Sequence, residues 1–164
     1  MSSKTDYTNE EWTTVLSAAY FSALLIIVSD LNVAFFKELA ALSKAIMGSG
    51  AESESDLIKA IALDFSSKET QEEIKPELEK IQNQKDPQAL KDSMLESITG
   101  AADLVKAKSA EDGKIYRNWL FYLAQKTAEG SKEGGFLGIG AVRISDREHS
   151  ALDELALALG VTDE

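Results

Sequence analysis

Apolar positions recur at helical spacing along nearly the whole chain, and each run is bounded by residues that start or stop helices. Thr8-Asn9-Glu10-Glu11 is a capping box, with Thr8 at the N-cap and Glu11 at the third helical position. Tyr7 and Trp12 flank it as a hydrophobic staple. The helix they open is predicted over 9–29. It is amphipathic at first, through Trp12, Val15, Leu16 and Ala19, and then apolar nearly all round from Ala18 to Val28. A helix without a polar face belongs in the middle of a bundle.

Ser29-Asp30-Leu31-Asn32 breaks the pattern, and a second helix is expected to run to about Met47. Phe35, Leu39, Leu42 and Ile46 share one face, and Gly48-Ser49-Gly50 is predicted to end it. Ser53-Glu54-Ser55-Asp56 caps a short third helix with Leu57, Ile58, Ile61, Ala62 and Phe65. The next stretch is polar, with one thin stripe of Ile74, Leu78 and Ile81. Pro76 predicts a kink there, or a new helix start near Lys75. Asp86-Pro87 forms an N-cap and first-position pair for a helix to about Lys106, with Leu90, Met94, Ile98, Ala101 and Val105 inward. Ser109 caps a helix from Ala110 to Glu129, with Tyr116, Trp119, Leu120, Leu123 and Thr127 inward and Gly130 as its terminal glycine. Ser145-Asp146-Arg147-Glu148 is a second capping box, and Gly160 closes the last helix. The pattern predicts an all-α, single-domain bundle of about six or seven helices around the central apolar helix. It would span residues 8–160, with 1–7 as a disordered tail.

Composition narrows the chemistry. The chain has 164 residues, enough for a real core, and a net charge of −11 from 28 acidic and 17 basic residues. Such a field repels phosphate backbones, and no concentrated basic run offsets it, so nucleic acid is not an expected partner. There is no cysteine and one histidine, His149, which removes thiolate chemistry and the common zinc sites. The apolar run Val15–Val28 reads as too short for a membrane span, and the start of the chain lacks the apolar core of a signal peptide. A cytoplasmic protein without a cofactor is expected.

One segment reads in two ways: its glycines relieve crowding where the chain crosses the bundle while its apolar residues plug the bundle's end, or they form a binding site. Glu133–Ser145 holds four of the ten glycines, interleaved with Phe136, Leu137, Ile139 and Val142, and leads into the capping box of the last helix. Glycines allow backbone N–H groups to approach an anion, and a helix N-terminus adds partial positive charge. Gly138, Gly140, Arg143, Ser145 and Arg147 are therefore candidate ligand- or anion-binding residues. The competing expectation is that Arg143 or Arg147 pairs locally with Asp146 or Glu148. Neither a Walker loop nor a dinucleotide fingerprint is present. The apolar residues of the segment exceed what one loop buries easily, which suggests a homodimer.

The acidic groups Glu52, Glu54 and Asp56, then Glu69, Glu72 and Glu73, and Asp153 with Glu154, match no calcium-loop spacing and read as solvated faces. A Ser-His-carboxylate triad would have to use His149, and no nucleophile elbow occurs. No catalytic constellation is found.

The apolar run ending in Ser29-Asp30 resembles an edge of the tellurite-resistance TerB-like all-α domains. So does the ending Ile144-Ser145-Asp146-Arg147-Glu148 with Leu152, Leu155-Ala156 and Leu159-Gly160. That resemblance implies a helical bundle and acidic metal ligands. Where the family has Asp-Gly and then Glu, this chain has Asp30-Leu31 with Glu38 as the nearest candidate, so no ligand is carried over. Glu10-Glu11-Trp12 and Gly134-Gly135-Phe136-Leu137-Gly138 are also similar to segments of prokaryotic helical proteins. The expected role is a non-enzymatic interaction or scaffold protein, with a small-ligand or anion-binding module as the alternative.

Overall fold

Helix α1 (Asn9–Ser29) has almost nothing to offer water beyond its first turns, and the fold is what surrounds it. Val15, Leu16, Ala18, Ala19, Ala23 and Leu25 are fully buried, and α1 touches each of the six other helices. The computed structural model describes residues 2–29, 35–130 and 144–161, and every regular element among them is helical. The remaining helices are α2 (Phe35–Glu52), α3 (Asp56–Phe65), α4 (Lys68–Gln82), α5 (Pro87–Lys108), α6 (Ala110–Gly130) and α7 (Asp146–Leu159). The chain is thus an all-α bundle around a central apolar helix. An 18-residue window of α1 has mean hydropathy 1.7, long and apolar enough by composition to cross a membrane, and 72% of that window is buried inside the bundle, as in a core helix.

Amphipathic stripes on α5 and α6 close the bundle against α1. Met94, Ile98, Ala101 and Val105 face inward from α5, and Tyr116, Leu120, Leu123 and Ala124 from α6. Most of the predicted caps form. Ser55 accepts from the Ile58 N–H, Asp86 from the Gln88 N–H at 3.1 Å, and Gly160 closes α7 at φ 64°. Thr8 and Glu11 complete their reciprocal box at 2.9 and 3.2 Å, and the Tyr7 and Trp12 rings lie 5.5 Å apart.

Four expectations are corrected. Helix α2 does not end at Met47 but continues through Gly48-Ser49-Gly50 to Glu52. A Cβ on Gly50 would lie 2.0 Å from the Ala62 Cβ, so this glycine permits the contact with α3. Ser49 is fixed too, accepting the Trp119 indole N–H at 2.9 Å and donating to the Ala45 carbonyl at 2.6 Å. Helix α4 runs through Pro76, so of the two alternatives, a kink or a new start near Lys75, it is the new start that does not occur. Glu72 and Pro76 are both exposed, so water can replace the donor that Pro76 denies the Glu72 carbonyl. Gly130 is the last residue of α6 itself, and Gly160 alone among the described glycines has a positive φ.

The fourth correction concerns residues 1–7. Residues 2–7 are ordered, with a 3-10 turn at Lys4–Asp6. Ser2 and Tyr7 are buried, and the Ser2 N–H and hydroxyl both donate to Asp112 on α6, the hydroxyl at 2.8 Å. Lys4 pairs with Asp64, which also accepts the Trp12 indole N–H at 2.8 Å. Composition alone marks such a polar start as loose; long-range partners hold it down.

Candidate functional site

Three segments far apart in sequence meet at one end of the bundle. The last turn of α1 brings Val28 and Ser29, the approach to α5 and its first turns bring Lys85, Pro87, Leu90 and Lys91, and the first turn of α7 brings Arg147 and Ser150. They line a cleft of about 460 Å³, a volume usual for a small-molecule site. Val28, Leu90 and Lys91 are half-buried while Lys85, Pro87 and Arg147 are exposed, so the cleft combines apolar walls with two exposed cations. No described Asp or Glu lines it. In a protein of net charge −11, three of the 17 basic residues, Lys85, Lys91 and Arg147, thus share one cleft.

The positions of these cations follow from local structure. Asp86 caps α5 and Pro87 takes its first position, which sets Lys85 just outside the helix and Lys91 one turn in. Lys91 is partly engaged, 3.5 Å from Glu154 of α7. Among the described residues, no carboxylate lies within ion-pair distance of Lys85 or Arg147. The expected pairing of Arg147 with Asp146 or Glu148 does not form.

Of the residues expected to bind an anion, Arg147 lines the cleft and Ser145 does not. Ser145 is occupied as the cap of α7: its hydroxyl accepts the Glu148 N–H at 3.2 Å, and its own N–H donates to the Glu148 carboxylate at 2.7 Å. Glu148 is buried there, placing an internal negative charge at the helix N-terminus. Gly138, Gly140 and Arg143 lie outside the described residues, as do Phe136, Leu137, Ile139 and Val142, on which the homodimer expectation rests. Asp30 and the Glu38 side chain, where the TerB-like resemblance bears on metal, lie outside them as well.

Lys85, Lys91, Ser29 and Ser150 carried no signal in the sequence. Each sits in an ordinary helix or cap context, and only the packing of α1, α5 and α7 brings them together. His149 is exposed, one residue from the cleft-lining Ser150. The acidic groups Glu52, Glu54, Asp56, Glu69, Glu72, Glu73, Asp153 and Glu154 are all exposed, as solvated faces should be. Among the described residues, no group of three or more His, Asp or Glu is placed to hold a metal.

A second buried polar cluster lies under the N-terminal segment. Asp112 is fully buried, and its carboxylate receives Ser2 on one oxygen while the other has no hydrogen-bond partner among the described residues. Burial opposes its ionisation, but hydrogen bonds from the Ser2 N–H and then the Ser2 hydroxyl outweigh this and hold the carboxyl below the ordinary aspartate range. The Ser2 hydroxyl also lies 3.0 Å from the Tyr7 hydroxyl. This cluster fastens a chain segment rather than opening onto a cleft.

No protein-family model, no curated protein and no solved structure matches this chain.

Proposed function

We propose that this protein is a small-ligand-binding module that takes an organic anion with a compact apolar body in the cleft between α1, α5 and α7. The observation that carries the reading is the cleft's lining: Lys85, Lys91 and Arg147 around Val28, Pro87 and Leu90, with no described carboxylate. The apolar part of the ligand would cover Val28 and Leu90. Its phosphate or carboxylate would meet Arg147, whose planar guanidinium suits two-point contact, with Lys85 as a second charge. The hydroxyls of Ser29 and Ser150 are polar groups within the same lining. Binding requires no covalent step, and none is assigned.

This reading is preferred to a scaffold role. Among the described residues, the large exposed apolar side chains, Met47, Leu63, Tyr122 and Leu157, stand on four different helices. Tyr122 is further covered by the Lys126 ammonium, 5.6 Å from its ring centre.

Titration of the full chain with phenyl phosphate, hexanoate and inorganic phosphate, followed by amide chemical shifts, tests the proposal. Phenyl phosphate should bind more tightly than inorganic phosphate, perturb Ser29 and Ser150, and weaken as salt rises. The variant K85Q/R147Q should lose the binding and keep its melting temperature, because exposed charges add little stability. Failure of both organic anions to give a saturable shift at these residues would overturn the proposal.

A further inference from the structure

Helix α5 carries a second cationic concentration at its other end. Lys106 lies fifteen residues after Lys91, about 22 Å further along the axis at ~1.5 Å per residue. There a cleft of about 400 Å³ is lined by Lys106 of α5, by Lys114, Arg117 and Asn118 of α6, and by Gly160 and Val161 after α7. No described Asp or Glu lines it, and among the described residues its apolar lining is limited to Ala110 and Val161. The two clefts together use six of the seventeen basic residues of an acidic chain.

The walls of this second cleft are set by backbone. A Cβ on Gly113 would lie 2.7 Å from the Cα and Cβ of Lys106, so the glycine brings α6 directly onto α5 and fixes Lys106 beside Lys114 and Arg117. On the far side, Gly160 takes its left-handed turn and the Val161 N–H returns to the Ala156 carbonyl at 3.0 Å. Arg117 is oriented by Asp103, which accepts from one guanidinium nitrogen at 3.0 Å from outside the lining. The other donors of the fork are not used by any described residue. Among the described residues, neither Lys106 nor Lys114 has an ion-pair partner.

We infer that this cleft is a second binding site, for a compact multivalent oxyanion such as a phosphate group or a small polycarboxylate. Its lining offers charge and hydrogen-bond donors without the apolar walls of the α1–α5–α7 cleft, so the ligand is polar throughout. Lys106 and Lys114 supply point charges, Arg117 a directed fork, and Asn118 a neutral amide that can donate to the same group. The chain itself is another source of carboxylates, since Asp163 and Glu164 follow Val161 in sequence; the test separates the two.

The full-length protein is titrated with inorganic phosphate and with citrate at low ionic strength, and the Asn118 side-chain amide and the Gly160 and Val161 backbone amides are followed. A saturable shift of these signals is expected, with affinity at least about tenfold lower in K106Q/K114Q and unchanged in R147Q, which alters only the first cleft. Native binding matched in D163N/E164Q supports a free ligand. Three results would overturn the inference: no saturable shift in the native chain, equal affinity in K106Q/K114Q, or binding seen only in D163N/E164Q. The last would assign the cleft to the chain's own carboxylates. A melting curve for each variant confirms that it is folded.

Discussion

The Tyr116 hydroxyl donates to the carbonyl of Val15 at 2.7 Å, joining α6 to α1 where both are fully buried. Burial alone would penalise the phenol, and the same burial pushes its pKa well above the ordinary tyrosine range, so it remains a donor. The Val15 carbonyl lies within a continuous helix, and the second lone pair of its oxygen can take the phenol. Replacing Tyr116 by Phe should cost about 1 kcal/mol, and by Ala about 3–5 kcal/mol through the cavity left behind. Urea unfolding of both variants measures the difference; equal midpoints for Tyr116→Phe and the native chain would remove the hydrogen bond from the account.

Two glycines inside helices should respond with opposite sign. Gly50 meets Ala62, so Gly50→Val should separate α2 from α3 and destabilise by about 1–3 kcal/mol, as overpacked sites do. Gly100 is exposed in the middle of α5 with nothing within 4 Å of an added Cβ. Gly100→Ala should stabilise by about 0.5–1 kcal/mol from helix propensity alone. Thermal melts of the pair settle both signs.

Acid should release the N-terminal segment. Three carboxyls around it are held low: Asp112 as described above, Asp6 by the backbone N–H and then the hydroxyl of Ser3, and Glu11 by the Thr8 N–H and then Lys108. A depressed folded pKa stabilises above the unfolded value, about 4 for these groups, and the contribution is lost as pH falls through the folded value. Lys108 is 3.0 Å from Glu11 and sits over the Tyr7 ring at 5.6 Å, which ties the segment to the end of α5. Amide exchange of residues 2–7 should therefore be slow at pH 7 and accelerate below about pH 4. In Asp112→Ala the Ser2 contacts should already be loose at pH 7. Exchange independent of pH, after correction for intrinsic rates, would disprove the anchoring role.

Ser145 and Arg147 should separate cleanly in function. Ser145→Ala removes the cap and should lower stability by about 1 kcal/mol while leaving phenyl phosphate affinity close to native. Arg147→Gln should do the reverse. The proposed assignment fails if Ser145→Ala abolishes binding in a folded protein.

Local chemistry explains how much of this molecule is legible without tertiary information. Thr8 with Glu11, Asp86 with Pro87, Ser145 with Glu148, and Gly160 each act within about a turn, so their spacing alone determines helix starts and ends. The run Ala18–Val28 likewise has no polar face in any environment, which makes α1 central before any partner is known. Tertiary structure decided the rest. Gly48-Ser49-Gly50 reads as a helix end by propensity, but Ala62 and Trp119 pack on it and carry α2 onward to Glu52. Residues 2–7 read as a free tail because their partners, Asp64 and Asp112, lie far along the chain. The two cationic clefts depend on the same kind of distance: Lys85, Lys91 and Arg147 converge only when α1, α5 and α7 pack, and Lys106 meets Lys114 and Arg117 only because Gly113 admits the α5 backbone. A charge's neighbours are set by helix packing, and sequence spacing encodes that only within a few residues.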